Sequence, residues 1–133
     1  MKSRDTLIRL KRFQAEEKRR RVSQIEAMIA EFARMASDLD REIALEEQRN
    51  GVTDMNHYAY STYARAARVR RDNLNQSTED LRPQLEDAKA RHAEALEELS
   101  KAQSLENREK SERQEPGRDR IDMDMIGLGA SGL

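Results

Sequence analysis

Apolar or small side chains stand at strict seven-residue intervals along the first fifty residues: Ile8, Ala15, Val22, Ile29, Ala36 and Ile43. Three positions after each come Lys11, Lys18, Ile25, Phe32, Leu39 and Glu46. From Val22 to Ile43 the two rows interleave without a polar gap, which is three heptads of the spacing that winds one helix against another. Such a seam is too narrow for a globular core and demands a partner helix. Met28 and Met35 widen it on one side.

Glycine and proline mark where this pattern stops. No glycine occurs before Gly51, and none between Val52 and Pro116. The pattern predicts a first helix over about residues 4–49, with Ser3 or Asp5 as its cap, roughly 70 Å long at 1.5 Å per residue. Residues 50–56 read as a turn, in which Asn50 and Gly51 tolerate positive φ and Thr53, Asp54 or Asn56 caps the next helix. That second helix is expected over about 57–113. Its seam is Tyr60, Ala67, Leu74, Leu81, Ala88, Ala95 and Ala102 in one row, with Ala64, Thr78, Leu85, His92 and Leu99 in the other. Arg71 interrupts the second row. Pro83 removes one backbone donor and crowds the carbonyl four residues back, at about 3 kcal/mol. The heptad stays in phase across it, so a kink in a continuing helix is expected. The alternative is a break, with Ser77 or Thr78 capping a third helix.

A short turn favours antiparallel pairing. Folding there brings together residues whose numbers sum to about 106: Phe32 with Leu74, Ile25 with Leu81, Leu39 with Ala67. Charge points the same way, because residues 1–21 are strongly basic and 79–99 acidic. A parallel homodimer would stack the basic ends on each other. The expected fold is therefore all-α: one antiparallel coiled-coil hairpin over 1–113, followed by a disordered, flexible tail at 114–133. Within that tail Ile121, Met123, Met125, Ile126 and Leu128 form a patch that is either a docking segment or solvated chain.

Composition narrows the function. Leu, Ile, Val and Phe together number 23 of 133 residues, too few for a packed enzyme core, while Ala, Glu, Lys, Leu and Arg make up 69, as in long helices. The formal net charge is only −1, which argues against wholesale disorder. Without cysteine there is no disulfide, thiolate metal site or catalytic thiol. Met1 to Arg12 is charged at nearly every second position, unlike a secretory signal, and no stretch approaches the ~18 apolar residues of a membrane span. A cytoplasmic protein is expected.

Specific chemical signals are weak. The string Gly127-x-Gly129-x-x-Gly132 lacks the strand before it and helix after it that a dinucleotide site requires. His57 and His92 are far apart and unaccompanied, so neither a metal site nor a cofactor is expected. No cleft desolvates the many carboxylates, and no catalytic residue is expected. The run Lys18-Arg19-Arg20-Arg21 is either a solvated face or a contact for an acidic protein rim or anionic headgroups; nucleic acid ranks lower, because no aromatic residue interleaves with it. All three tyrosines fall in His57-Tyr58-Ala59-Tyr60-Ser61-Thr62-Tyr63. They either close the end of the hairpin or serve as protein-binding anchors.

Two blocks resemble a known family. Met1-Lys2-Ser3-Arg4-Asp5-Thr6-Leu7-Ile8-Arg9-Leu10-Lys11-Arg12-Phe13-Gln14 and His57-Tyr58-Ala59-Tyr60-Ser61-Thr62-Tyr63-Ala64-Arg65-Ala66-Ala67-Arg68 are similar to the flagellar type III export protein FliJ family in its short alphaproteobacterial form. The resemblance covers about residues 1–105. It implies a non-enzymatic coiled-coil stalk, like the central stalk of rotary ATPases. The paired terminal ends would insert into the flagellar export ATPase hexamer, through Arg9, Lys11, Arg12, Phe13, Arg19, Arg20 and Arg21. A surface near the bend would touch the linker of the export-gate membrane protein, through Tyr60, Tyr63, Ala67 and Leu74. The family carries a bulky apolar residue near Ala67. Export chaperones are further implied partners, with peripheral association at the inner face of the membrane at the flagellar base. The rival reading is a generic coiled-coil adaptor or tether without an ATPase partner.

Overall fold

The computed structural model describes the backbone of residues 2–132 and the side chains of residues 3–112. Two helices account for it: α1, Lys2–Asn50, and α2, Thr62–Gly132. No strand occurs among the described residues. The chain divides into two compact units, residues 17–92 and residues 1–16 with 93–133. The second helix was expected to end near 113 and give way to a disordered tail; the backbone instead continues as α2 to Gly132, and the side chains of 114–133 lie outside the described residues.

The unit of residues 17–92 is an antiparallel helical hairpin. Its core is the sequence seam. Ile25, Leu81 and Ala88 are buried together, with Val22, Ile29, Phe32 and Leu85 packed around them. Nearer the bend, Leu39, Ile43 and Ala67 form a second cluster with Leu74. Ile25 with Leu81 and Leu39 with Ala67 satisfy the expected register. Every seam position of this unit on both helices is buried or half-buried, including the polar ones Lys18, Glu46, Arg71, Thr78 and His92. Arg71 reaches out of the seam to Asp40 (3.0 Å), and Arg68 pairs with Glu47 (3.2 Å).

The bend is longer than expected. Gly51, at φ 77°, closes α1 by donating its N–H to the Glu47 carbonyl (2.8 Å), a left-handed cap that glycine adopts at low cost. α2 begins at Thr62 rather than near 57. Residues 52–60 are held out of the helix by side chains that capture backbone donors. Asp54 Oδ1 accepts from Asn56 N (3.0 Å), and His57 Nδ1 accepts from Ala59 N (3.0 Å). Asp54 thus caps a turn, not α2. The α2 cap is Ser61, whose Oγ accepts from Ala64 N (3.2 Å) and donates to Glu46 (3.1 Å).

α2 runs through Pro83 without a break. Thr78 does not cap a third helix; its hydroxyl donates back to the Leu74 carbonyl (3.1 Å), a bond made inside a continuing helix. Proline disturbs the carbonyls one turn before it, and there Gln84 donates its side-chain amide to the Asp80 carbonyl (3.4 Å).

In the other unit, Ile8 and Ala15 of α1 and Ala102 of α2 are buried. Arg4 bridges to Glu109 and donates to the Leu105 carbonyl (3.2 Å), and Lys11 pairs with Glu98 at 2.6 Å. The lysine draws the Glu98 carboxyl below its ordinary pKa, chiefly through that hydrogen bond.

Candidate interaction surfaces

Around the bend the tyrosines divide by role. Tyr60 is 5% exposed. The Arg65 and Arg68 guanidinium groups lie 5.3 and 5.9 Å from its ring centre, within cation–π range. Its hydroxyl accepts from Arg68 Nε (2.8 Å), and Arg65 ties this face to the loop through the Met55 carbonyl (2.8 Å). Tyr60 is therefore the residue that closes the hairpin. Tyr58 is 96% exposed and stacks on His57, ring centres 4.6 Å apart. Tyr63 is exposed and donates its hydroxyl to Glu42 (3.0 Å), which raises its pKa above the ordinary phenol value.

Of the four residues that family resemblance assigns to the gate contact, only Tyr63 is exposed. Tyr60 and Ala67 are buried and Leu74 is half-buried in the second core cluster. Those three act by holding the helices together, since their positions are seam positions. The side chains presented at this end are Met55, Tyr58 and Tyr63. Tyr58 was the residue the resemblance passed over. Its place off the heptad is the signal that marks it, because a large side chain off the seam has nothing to pack against.

The residues assigned to the ATPase ring fall in both units. In the terminal unit, Arg9, Arg12 and Phe13 are exposed, Phe13 by 58%, while Lys11 is half-buried and committed to Glu98. Leu7 and Leu10 are exposed on the same helix, so this arm presents three large apolar side chains among arginines. Leu7 and Leu10 are further residues that spacing could have found, being off the seam. Arg19, Arg20 and Arg21 are exposed in the hairpin unit.

The acidic stretch of α2 does not neutralise that basic run in the expected way. Glu98 crosses to Lys11, but the acids opposite the run are engaged along their own helix: Glu79 with Arg82 (3.0 Å), Glu86 with Lys89 (3.8 Å) and Asp87 with Arg91 (2.9 Å). Such i,i+3 and i,i+4 pairs form at little entropic cost, and no ion pair joins Lys18 or Arg21 to these acids. A crevice of about 860 Å³ opens there, lined by Lys18, Arg20, Arg21, Pro83, Asp87 and Arg91 among others.

Among the described residues no cluster of His, Asp or Glu could hold a metal, and no helix is long and apolar enough to cross a membrane. Among the described residues the fold is all-helical, with a basic and apolar surface on residues 7–13 and exposed aromatic side chains at the bend. No protein-family model, curated protein or solved structure matches the chain.

Proposed function

We propose that the protein is a non-enzymatic coiled-coil stalk of the flagellar type III export apparatus. In this reading the terminal arms, residues 1–16 with their α2 partners, contact the export ATPase hexamer, and the bend contacts the linker of the export-gate protein. The protein works in the cytoplasm, peripherally attached at the membrane through the gate, with export chaperones as further partners. The observation that carries the reading is the terminal arm. Arg4 and Lys11 clamp it to α2, while Arg9 and Arg12 and the apolar Leu7, Leu10 and Phe13 stay outward. A surface of large apolar groups ringed by arginines suits an acidic, partly apolar lining. Contact along a stiff helical pair lets such a protein bias ring assembly and ATPase cycling without chemistry of its own.

The test is ATP hydrolysis by the export ATPase with and without the purified chain. Stimulation is expected, and Phe13→Ala combined with Arg12→Glu removes it while helicity is kept. Unchanged hydrolysis together with no binding rejects the stalk reading. At the other end, Tyr58→Ala with Tyr63→Ala weakens binding to the gate linker with helicity intact. Unaltered gate binding in that variant removes the bend from the contact.

A further inference from the structure

Beside the main seam, α1 carries a second heptad that α2 covers only in part, at Met35 and through the Tyr63 hydroxyl on Glu42. One residue before Val22, Ile29, Ala36 and Ile43 stand Arg21, Met28, Met35 and Glu42. Between them on the same face lie Gln24, Glu31, Asp38 and Leu45. Met28 is 42% and Leu45 60% exposed, and Met35 is half-buried. Three hollows open along this edge, all within the unit of residues 17–92. One is the basic crevice at Arg21. The second, about 230 Å³, lies beside Met35 against Leu74 and Ser77. The third, about 280 Å³, lies at Glu42 and Leu45.

The charges along this face are ordered. The basic crevice holds Lys18, Arg20, Arg21 and Arg91, outnumbering its acids Glu17 and Asp87. Methionine occupies the middle, a side chain that adapts to an uneven partner. Glu42 makes the far end acidic: its carboxylate accepts from the Tyr63 hydroxyl (3.0 Å) and has no ion-pair partner among the described residues, whereas Asp38 is held by Arg34 and Arg41, and Arg49 lies beside the last hollow. A face that is basic at one end, apolar in the middle and acidic at the other is complementary to itself after a two-fold rotation.

We propose that this face is the self-association surface of the protein, and that its occupant is α1 of a second copy lying antiparallel across it. Residues whose numbers sum to about 63 meet. Met28 packs on Met35 of the second copy and Met35 on its Met28. Arg21 receives Glu42 of the second copy, whose carboxylate enters the crevice beside Lys18, and the symmetric contact repeats at the other end. Glu31 comes near its own symmetry mate, with its charge already held by Arg34 at 2.5 Å. The parallel arrangement would set Arg21 on Arg21 and Glu42 on Glu42, and like charges reject it. The pairing goes beyond the stalk reading and does not depend on it. Arg21 is common to both, so self-association and ring contact compete for that side chain.

The experiment is sedimentation equilibrium of the full chain from about 1 to about 500 µM, the range in which small interfaces dissociate. Mass should rise with concentration from 15.4 kDa toward twice that value, and less so in high salt. Arg21→Glu and Glu42→Arg should each weaken association by about tenfold or more, since each change turns two attractive contacts repulsive. The double variant should recover it, and Met28→Glu should abolish it. All three sites lie on the surface side of α1, and circular dichroism checks that each variant keeps its helicity. A chain that stays monomeric throughout, or singles that weaken association with no recovery in the double, overturns the antiparallel pairing.

Discussion

Replacing Ile25 with alanine tests the packing on which every surface described above depends. Ile25 is 1% exposed, the one large side chain buried this completely among the described residues, and it sits among Leu81, Ala88, Val22, Ile29, Phe32 and Leu85. Alanine deletes three carbon groups. At about 0.8 kcal/mol per buried methylene the transfer loss is about 2.4 kcal/mol. The cavity contribution raises such changes toward 5 kcal/mol in thick cores, by about 24 cal/mol per Å³ of void. A two-helix interface is thin and its helices can close on the gap, so a total of about 2.5–3 kcal/mol is expected. The assay is urea unfolding of the full chain followed by helical circular dichroism, with Leu45→Ala as control. Leu45 is 60% exposed, and its truncation should cost under about 0.5 kcal/mol. Equal losses in the two variants would mean that the α1–α2 seam does not hold the hairpin, and the register argument would fall with it.

Pro83→Ala should stabilise the hairpin. α2 is continuous through residue 83, so the change restores a helical donor and removes a clash worth up to about 3 kcal/mol; a higher urea midpoint checks it, and a lower one would mean that the proline geometry is needed for packing. Ser61→Ala should cost about 1 kcal/mol, because the Ala64 N–H loses its cap acceptor; unfolding midpoints measure it. The Lys11–Glu98 pair should hold the terminal arms more firmly above the ordinary carboxylate range than below it. Glu98 has its folded-state pKa depressed, so its contribution is complete above the unfolded pKa and disappears as pH falls through the folded one. Hydrogen exchange of residues 5–15, compared between the native chain and Glu98→Gln at neutral and acid pH, should differ at neutral pH and converge in acid.

Much of the packing was legible because the two-helix seam is a one-dimensional code. Seven-residue spacing picked out Ile25, Leu39, Ile43, Ala64, Ala67, Leu81 and Ala88, and all are buried. The same code misled where residues serve two readings. Tyr60, Ala67 and Leu74 resemble a contact surface by family pattern, yet they occupy seam positions, and a seam position faces the partner helix. The start of α2 was misread because Asp54, His57 and Ser61 each bond to nearby backbone. Which of several capping residues wins depends on where the chain must re-enter the second helix.

The amino-acid order alone pointed to two glycine-free amphipathic segments pairing antiparallel about Gly51, because each carries a narrow apolar stripe that needs a partner helix, a short turn joins them, and like charges oppose a parallel dimer. It could not dictate which charges would meet across the pair. In three dimensions the acids at 79, 86 and 87 bond to bases one turn away on α2. Local pairs form with less loss of side-chain freedom than pairs between helices, so the basic run at Lys18 and Arg21 keeps its charge available to a partner.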